Sequence, residues 1–181
     1  MKAIVLILIL LAFAHGKQEL EVTPNDAAKF IQGFLKGALG QDFGSIEACM
    51  TNADKIIADI TSIVDAFKGK IDWFTIVAKL GSLLVDLPDA IKKCDHLPST
   101  VIETIKKWSK KLGNVMDVIK MVARAVADYL ERLVLDGQLF IAYFKAGSYL
   151  DSGEKLGDIP FVLFNLCVNE TPDQVASDLL Q

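Results

Sequence analysis

After the first twenty residues, apolar side chains recur at steps of three and four, and no stretch alternates with period two long enough to argue for a sheet. The chain opens differently. Lys2 precedes an unbroken apolar run from Ala3 to Ala14, which ends at Ala14-His15-Gly16. A basic residue, a run of about twelve apolar residues and small residues around a cleavage point describe a signal peptide over residues 1–16. The run is too short for a hydrocarbon core that needs roughly twenty residues. Thr23-Pro24-Asn25-Asp26 then reads as a helix start, with a hydroxyl cap, proline in the first turn and an acid beside the positive helix end. The first helix should run from about Pro24 to Ala38 and bury Phe30, Ile31, Phe34 and Leu35. The second should carry one apolar face from Ile46 through Cys49, Met50, Ile56, Ile60 and Val64 to Phe67, with Asp54, Lys55 and Asp59 opposite.

A third helix is expected from about Ile71 to Val85, with Pro88 breaking or restarting it before Cys94. Thr100 and Glu103 have capping-box spacing and open a fourth, which places Ile105, Trp108 and Leu112 on one side. Val115 to Phe144 follows as a long helical pattern through Ile119, Val122, Val126, Leu130 and Leu133, with an interruption anticipated at Asp136-Gly137. A last helical segment, Ser148 to Cys167, is broken by Pro160. The pattern predicts an all-α fold, a single compact bundle of about five to seven helices. One helical domain would span residues 17–181, with about 168–181 a weakly ordered tail.

The 181 residues carry 19 basic and 23 acidic side chains, a net charge of −4. Loss of Lys2 with the leader makes the mature chain one unit more negative. That balance excludes a general nucleic-acid binder, which displaces counterions with a basic surface. Apolar residues make up 52% of the chain, somewhat above the average for soluble domains, which calls for a deep core, an apolar cavity or an exposed apolar face.

Secretion makes the three cysteines informative, because disulfides persist outside the cytosol. If the second and third helices form a hairpin turning near Lys68 to Lys70, Cys49 and Cys94 lie about 30 and 37 Å from the turn at 1.5 Å per residue. A break at Pro88 would shorten the second arm, so the two sulfurs fall at similar heights and a Cys49–Cys94 disulfide is expected. Cys167 is then left as a buried free thiol or an interchain bridge. Asn169-Glu170-Thr171 is a glycosylation sequon at Asn169, weakened by Pro172.

Chemistry is sparse. Mature His96 stands alone beside Asp95, no nucleophile elbow exists, and neither a zinc-ligand set nor a calcium loop can be read. The sequence points away from an enzyme and implies no cofactor and no metal. Three features carry more. Lys106, Lys107, Lys110 and Lys111 flank Trp108 on one helix, which suits either a membrane-surface helix or a solvated helix whose Trp108 is core. Gly147, Gly153 and Gly157 lower a helix face to backbone, which suits close helix contact, internal or with another chain. The aromatic side chains Phe140, Tyr143, Phe144, Tyr149, Phe161 and Phe164, with Trp73, Phe74 and Trp108, would fill a core or line a pocket for a lipid-like ligand.

The placement of Phe34, Leu35, Cys49 and Cys94, and the stretch Gly147-Ser148-Tyr149-Leu150-Asp151-Ser152-Gly153-Glu154-Lys155-Leu156-Gly157, resemble small secreted helical proteins of ciliated protozoa. The strict motif covers about a tenth of the chain. The resemblance implies an extracellular or secretory-organelle helical protein and carries no functional residues with it. Taken together, the expectation is a secreted, non-enzymatic protein that self-associates or binds another extracellular protein, with no nucleic-acid partner. The alternative is a protein that binds lipid, a hydrophobic ligand or a membrane surface.

Overall fold

Thr23 opens the first helix as the sequence requires. Its hydroxyl accepts from the Asp26 amide at 3.2 Å, while its own amide donates to Asp26 Oδ2 at 3.1 Å, so two donors left over at the helix end are satisfied reciprocally. The computed structural model describes residues 21–68 and 70–166. The expectations for the leader, for Cys167 and Asn169 and for the tail lie outside the described residues. Within them are six α-helices and no strand. They are α1 (Pro24–Leu39), α2 (Ala53–Ala66), α3 (Trp73–Ile91), α4 (Ser99–Leu112), α5 (Val115–Lys145) and α6 (Tyr149–Phe161), followed by a π-helical turn at Val162–Leu166.

These form two packed groups. The consecutive helices α2, α3 and α4 fold back on one another, while α6 lies against both α1 and α5. Contacts of α1 with α2, and of α5 with α3 and α4, join the groups around a continuous apolar core. Phe30, Phe67 and Phe140 meet edge to face at its centre, with ring centroids 6.2 Å and 5.1 Å from Phe140, a geometry that sets ring edges against ring faces.

Several boundaries depart from the periodic pattern. Helix α2 begins only at Ala53, because Asn52 takes a left-handed conformation (φ 56°) that an α-helix cannot pass through. Ile46 is buried and Cys49 partly so, yet both lie in the preceding turn. That turn is held to the end of α3 by the Thr51 amide, which donates to the Ala90 carbonyl at 2.8 Å, and by the Cys49–Cys94 disulfide, whose Cα atoms are 5.0 Å apart.

Pro88 does not break α3. It removes the amide that Leu84 would bond, but Leu83, Leu84, Leu87, Pro88, Ala90 and Ile91 are all buried. Packing on both sides of the proline outweighs the one lost hydrogen bond. Likewise α6 runs through Pro160 before the π-helical turn. The capping box expected at Thr100 and Glu103 is absent; α4 starts at Ser99 behind Pro98, without a side-chain cap. Helix α5 passes through Asp136-Gly137 and is irregular instead at Tyr129 (φ −131°, ψ 20°).

Candidate functional site

Among the described residues, two of the three candidate surfaces that the sequence singled out prove to be interior. Gly153 and Gly157 do not offer a face to another chain, because α1 occupies it. A Cβ on Gly153 would overlap the Phe30 carbonyl, and one on Gly157 the Phe34 carbonyl. The same holds in reverse, since a Cβ on Gly33 would overlap the Leu150 carbonyl and one on Gly37 the Glu154 carbonyl. Two Gly-x-x-x-Gly pairs thus interlock across the α1–α6 crossing, backbone on backbone. The partner pair, Gly33 and Gly37, escaped the sequence reading although its four-residue spacing matches that of Gly153 and Gly157. Lys36 and Glu154 close the rim of the crossing with a 2.7 Å ion pair. Gly147 lies elsewhere, exposed in the α5–α6 turn with φ 75°.

Trp108 is also interior. Only 7% of its surface is exposed, and it stacks on Phe164 with ring centroids 4.9 Å apart and planes 6° from parallel. The stripe of Ile105, Trp108 and Leu112 therefore faces the core and cannot itself be the membrane-contacting face. Lys106, Lys107 and Lys110 are exposed and Lys111 is half-buried. His96 is exposed in the turn that follows Cys94.

The aromatic side chains mainly fill space. Between Trp73, Val77, Val122, Leu133, Ile159 and Leu163 remains a gap of about 10 Å³, about one water's worth and too small for an acyl chain. A shallow outer groove of about 310 Å³ runs between Phe67 and Lys68 on one side and Ile141, Phe144 and Lys145 on the other.

Two carboxylates are withdrawn from solvent against the usual preference, Asp136 buried and Asp59 partly so. Asp136 on α5 is 5% exposed and lies 3.7 Å from both Lys155 Nζ and Arg132 Nε. Burial, followed by the nearby charge of Asp158, holds its carboxyl above the ordinary range, with Lys155 and Arg132 pulling the other way. Lys155 donates to Asp158 at 2.8 Å, and that bond raises its own pKa. This cluster ties α5 to α6 and has a structural task. On α2, burial and the neighbouring Asp86 push Asp59 from 3.8 up to about 6. Among the described residues, no group of three or more His, Cys, Asp or Glu side chains is arranged to hold a metal.

The surface that the sequence reading missed is the outer side of α5. Val115, Met116, Ile119 and Leu130 are 71%, 60%, 42% and 45% exposed. Met116, Ile119, Ala123, Ala127 and Leu130 fall on one side of the helix, roughly opposite the buried Met121, Val122 and Ala125. The first half of α5 is thus apolar on two faces, of which the core covers one. The signal was present in the sequence. Ile119 and Leu130 belong to the same periodic pattern as Val122 and Leu133, but Val122, Ala125 and Leu133 face the core and Ile119 and Leu130 lie outside. No helix of the described residues is long and apolar enough to cross a membrane.

Neither the curated proteins nor the solved structures compared with the chain gave a match. A family model does match, over residues 12–165, a span that takes in all six helices, the disulfide and the outer face of α5. The chain therefore belongs to the Secreted protein B-like family, a family of secreted proteins.

Proposed function

We propose that this secreted protein is not an enzyme and acts by association, presenting the outer face of α5 to another molecule. The observation that supports this reading is the row of exposed apolar side chains Val115, Met116, Ile119 and Leu130. Large apolar patches on secreted domains mark contact surfaces more often than scattered single residues do. Membership of a secreted family and the resemblance of the Gly147–Gly157 stretch to secreted ciliate proteins are in keeping with an extracellular or secretory-organelle setting. Of the two uses expected for the glycine face, Gly153 and Gly157 serve the internal one, against α1. The contact surface therefore moves to α5.

The test is cross-linking of the full secreted protein in its own secretory milieu, membranes included, read by native, non-reducing mass spectrometry and membrane flotation. Wild type should be found in complexes or on membranes, and the Met116→Glu, Leu130→Glu double variant should be released as bare monomer. A wild type that stays a bare monomer at every concentration and does not float would end the reading.

A further inference from the structure

Resting on that reading, we propose that the corner between α4 and α5 is a docking element for anionic phospholipid, with Val115, Met116 and Ile119 entering the membrane interface and Lys110, Lys111 and Lys120 meeting the headgroups. The corner projects. Residues 113–117 are all exposed, and its most exposed apolar side chains, Val115 at 71% and Met116 at 60%, stand at the first two helical positions of α5. Asn114 holds that start by accepting from the Met116 amide at 3.0 Å. The backbone at the tip is therefore capped by the chain itself and does not depend on a partner.

Charge decides which partner fits. Between Ser99 and Arg124 lie six basic and two acidic side chains, whereas the rest of the chain has 13 basic and 21 acidic ones. The positive charge is thus gathered on the two helices that meet at this corner, beside the exposed Val115, Met116 and Ile119. Lys106, Lys107, Lys110, Lys111 and Lys120 form no ion pair among the described residues. A second copy docked corner to corner would set these lysines against their own counterparts. An anionic bilayer offers opposite charge and an apolar layer beneath it, and lysine stems reach headgroups while apolar neighbours sink deeper. Interfacial binding grows with the apolar area inserted and with attraction to anionic headgroups, and this corner supplies both. Trp108 has no part in this, since it is stacked in the core.

The test is cosedimentation of the full secreted protein with phosphatidylcholine vesicles, made with and without phosphatidylserine. Wild type should bind only the anionic vesicles and be released as salt rises. Met116→Glu, and separately the pair Lys110→Glu, Lys111→Glu, should each weaken binding ten-fold or more. An acid at position 116 suits the positive end of α5, so the first variant keeps its fold. Val85→Glu, which removes an exposed apolar side chain from α3, should bind like wild type. A Met116→Trp reporter should show a blue-shifted emission on anionic vesicles. Wild type that ignores anionic vesicles, or a Lys110→Glu, Lys111→Glu variant that binds them unchanged, overturns the proposal. If vesicle binding fails while Met116→Glu dissolves a complex with another copy or another protein, the lipid falls and association through α5 stands. If both fail, association through α5 falls too.

Discussion

Gly153 shows how much one missing methyl can matter. Its α-carbon meets the α1 backbone directly, so Gly153→Ala forces two helices apart, since a Cβ there would meet backbone atoms that cannot rotate away. The expected loss is about 3 kcal/mol in urea unfolding, at the upper end of what overpacking costs. Gly81 on α3 provides the contrast. A Cβ there would stand 3.7 Å from the Leu112 side chain, an ordinary contact, and Gly81→Ala should gain roughly 0.5–1 kcal/mol in the same experiment. Asp59 makes a pH-dependent case. The folded chain holds its proton more tightly than the unfolded chain does, so ionisation of Asp59 costs stability. That cost is absent below the ordinary 3.8, grows as pH rises, and is complete above about 6. Asp59→Asn should flatten the pH dependence of unfolding across that window and add on the order of 1 kcal/mol at neutral pH. Residue types told part of this story in advance. The spacing of Gly153 and Gly157 pointed to a close contact, but the identity of the opposing backbone is a matter of three-dimensional arrangement and no local pattern carries it.

Helices were legible wherever period and cap agreed. Thr23 and Asp26 set the start of α1 as read, and the hairpin of α2 and α3 brought Cys49 to Cys94 as their depths implied. The failures occurred where a local rule met a stronger force. Pro88 and Pro160 signalled breaks, but dense burial on either side carried α3 and α6 through them. Gly137 looked like an interruption of α5, and its real use is to admit the Phe67 ring, whose Cε1 would lie 2.6 Å from an added Cβ. The apolar spacing before Asn52 continued the α2 pattern while the backbone there had already turned. That turn relies on its covalent tie to the end of α3. Cys49→Ala with Cys94→Ala frees a loop of 45 residues in sequence separation and should cost about 2–4 kcal/mol, judged from the entropy restored to the unfolded chain. Denaturant midpoints of variant and wild type measure it. Hydrogen exchange should show the loosening at the start of α2 and the end of α3, with the α1–α6 crossing unaffected.

Across the whole molecule, charge and apolar exposure are unevenly distributed, and this was only half visible in the sequence. The lysine cluster around Trp108 could be counted from residue types, but which neighbours faced outward depended on how α5 packed. Once the core had taken Trp108 on one side and Val122 and Ala125 on the other, the exposed apolar residues beside the lysines were those of the α5 start. The interlocked glycines have a different consequence, one of timing. Helix α1 is made first and α6 last, and Lys36 and Glu154 are 118 residues apart in the chain. The earliest of the six helices must therefore wait, with its Gly33–Gly37 face uncovered, until α6 has been synthesised. A contact of such long range forms slowly and leaves apolar surface open meanwhile. In a secreted chain the α1–α6 crossing therefore closes only after the last of the six helices has been made.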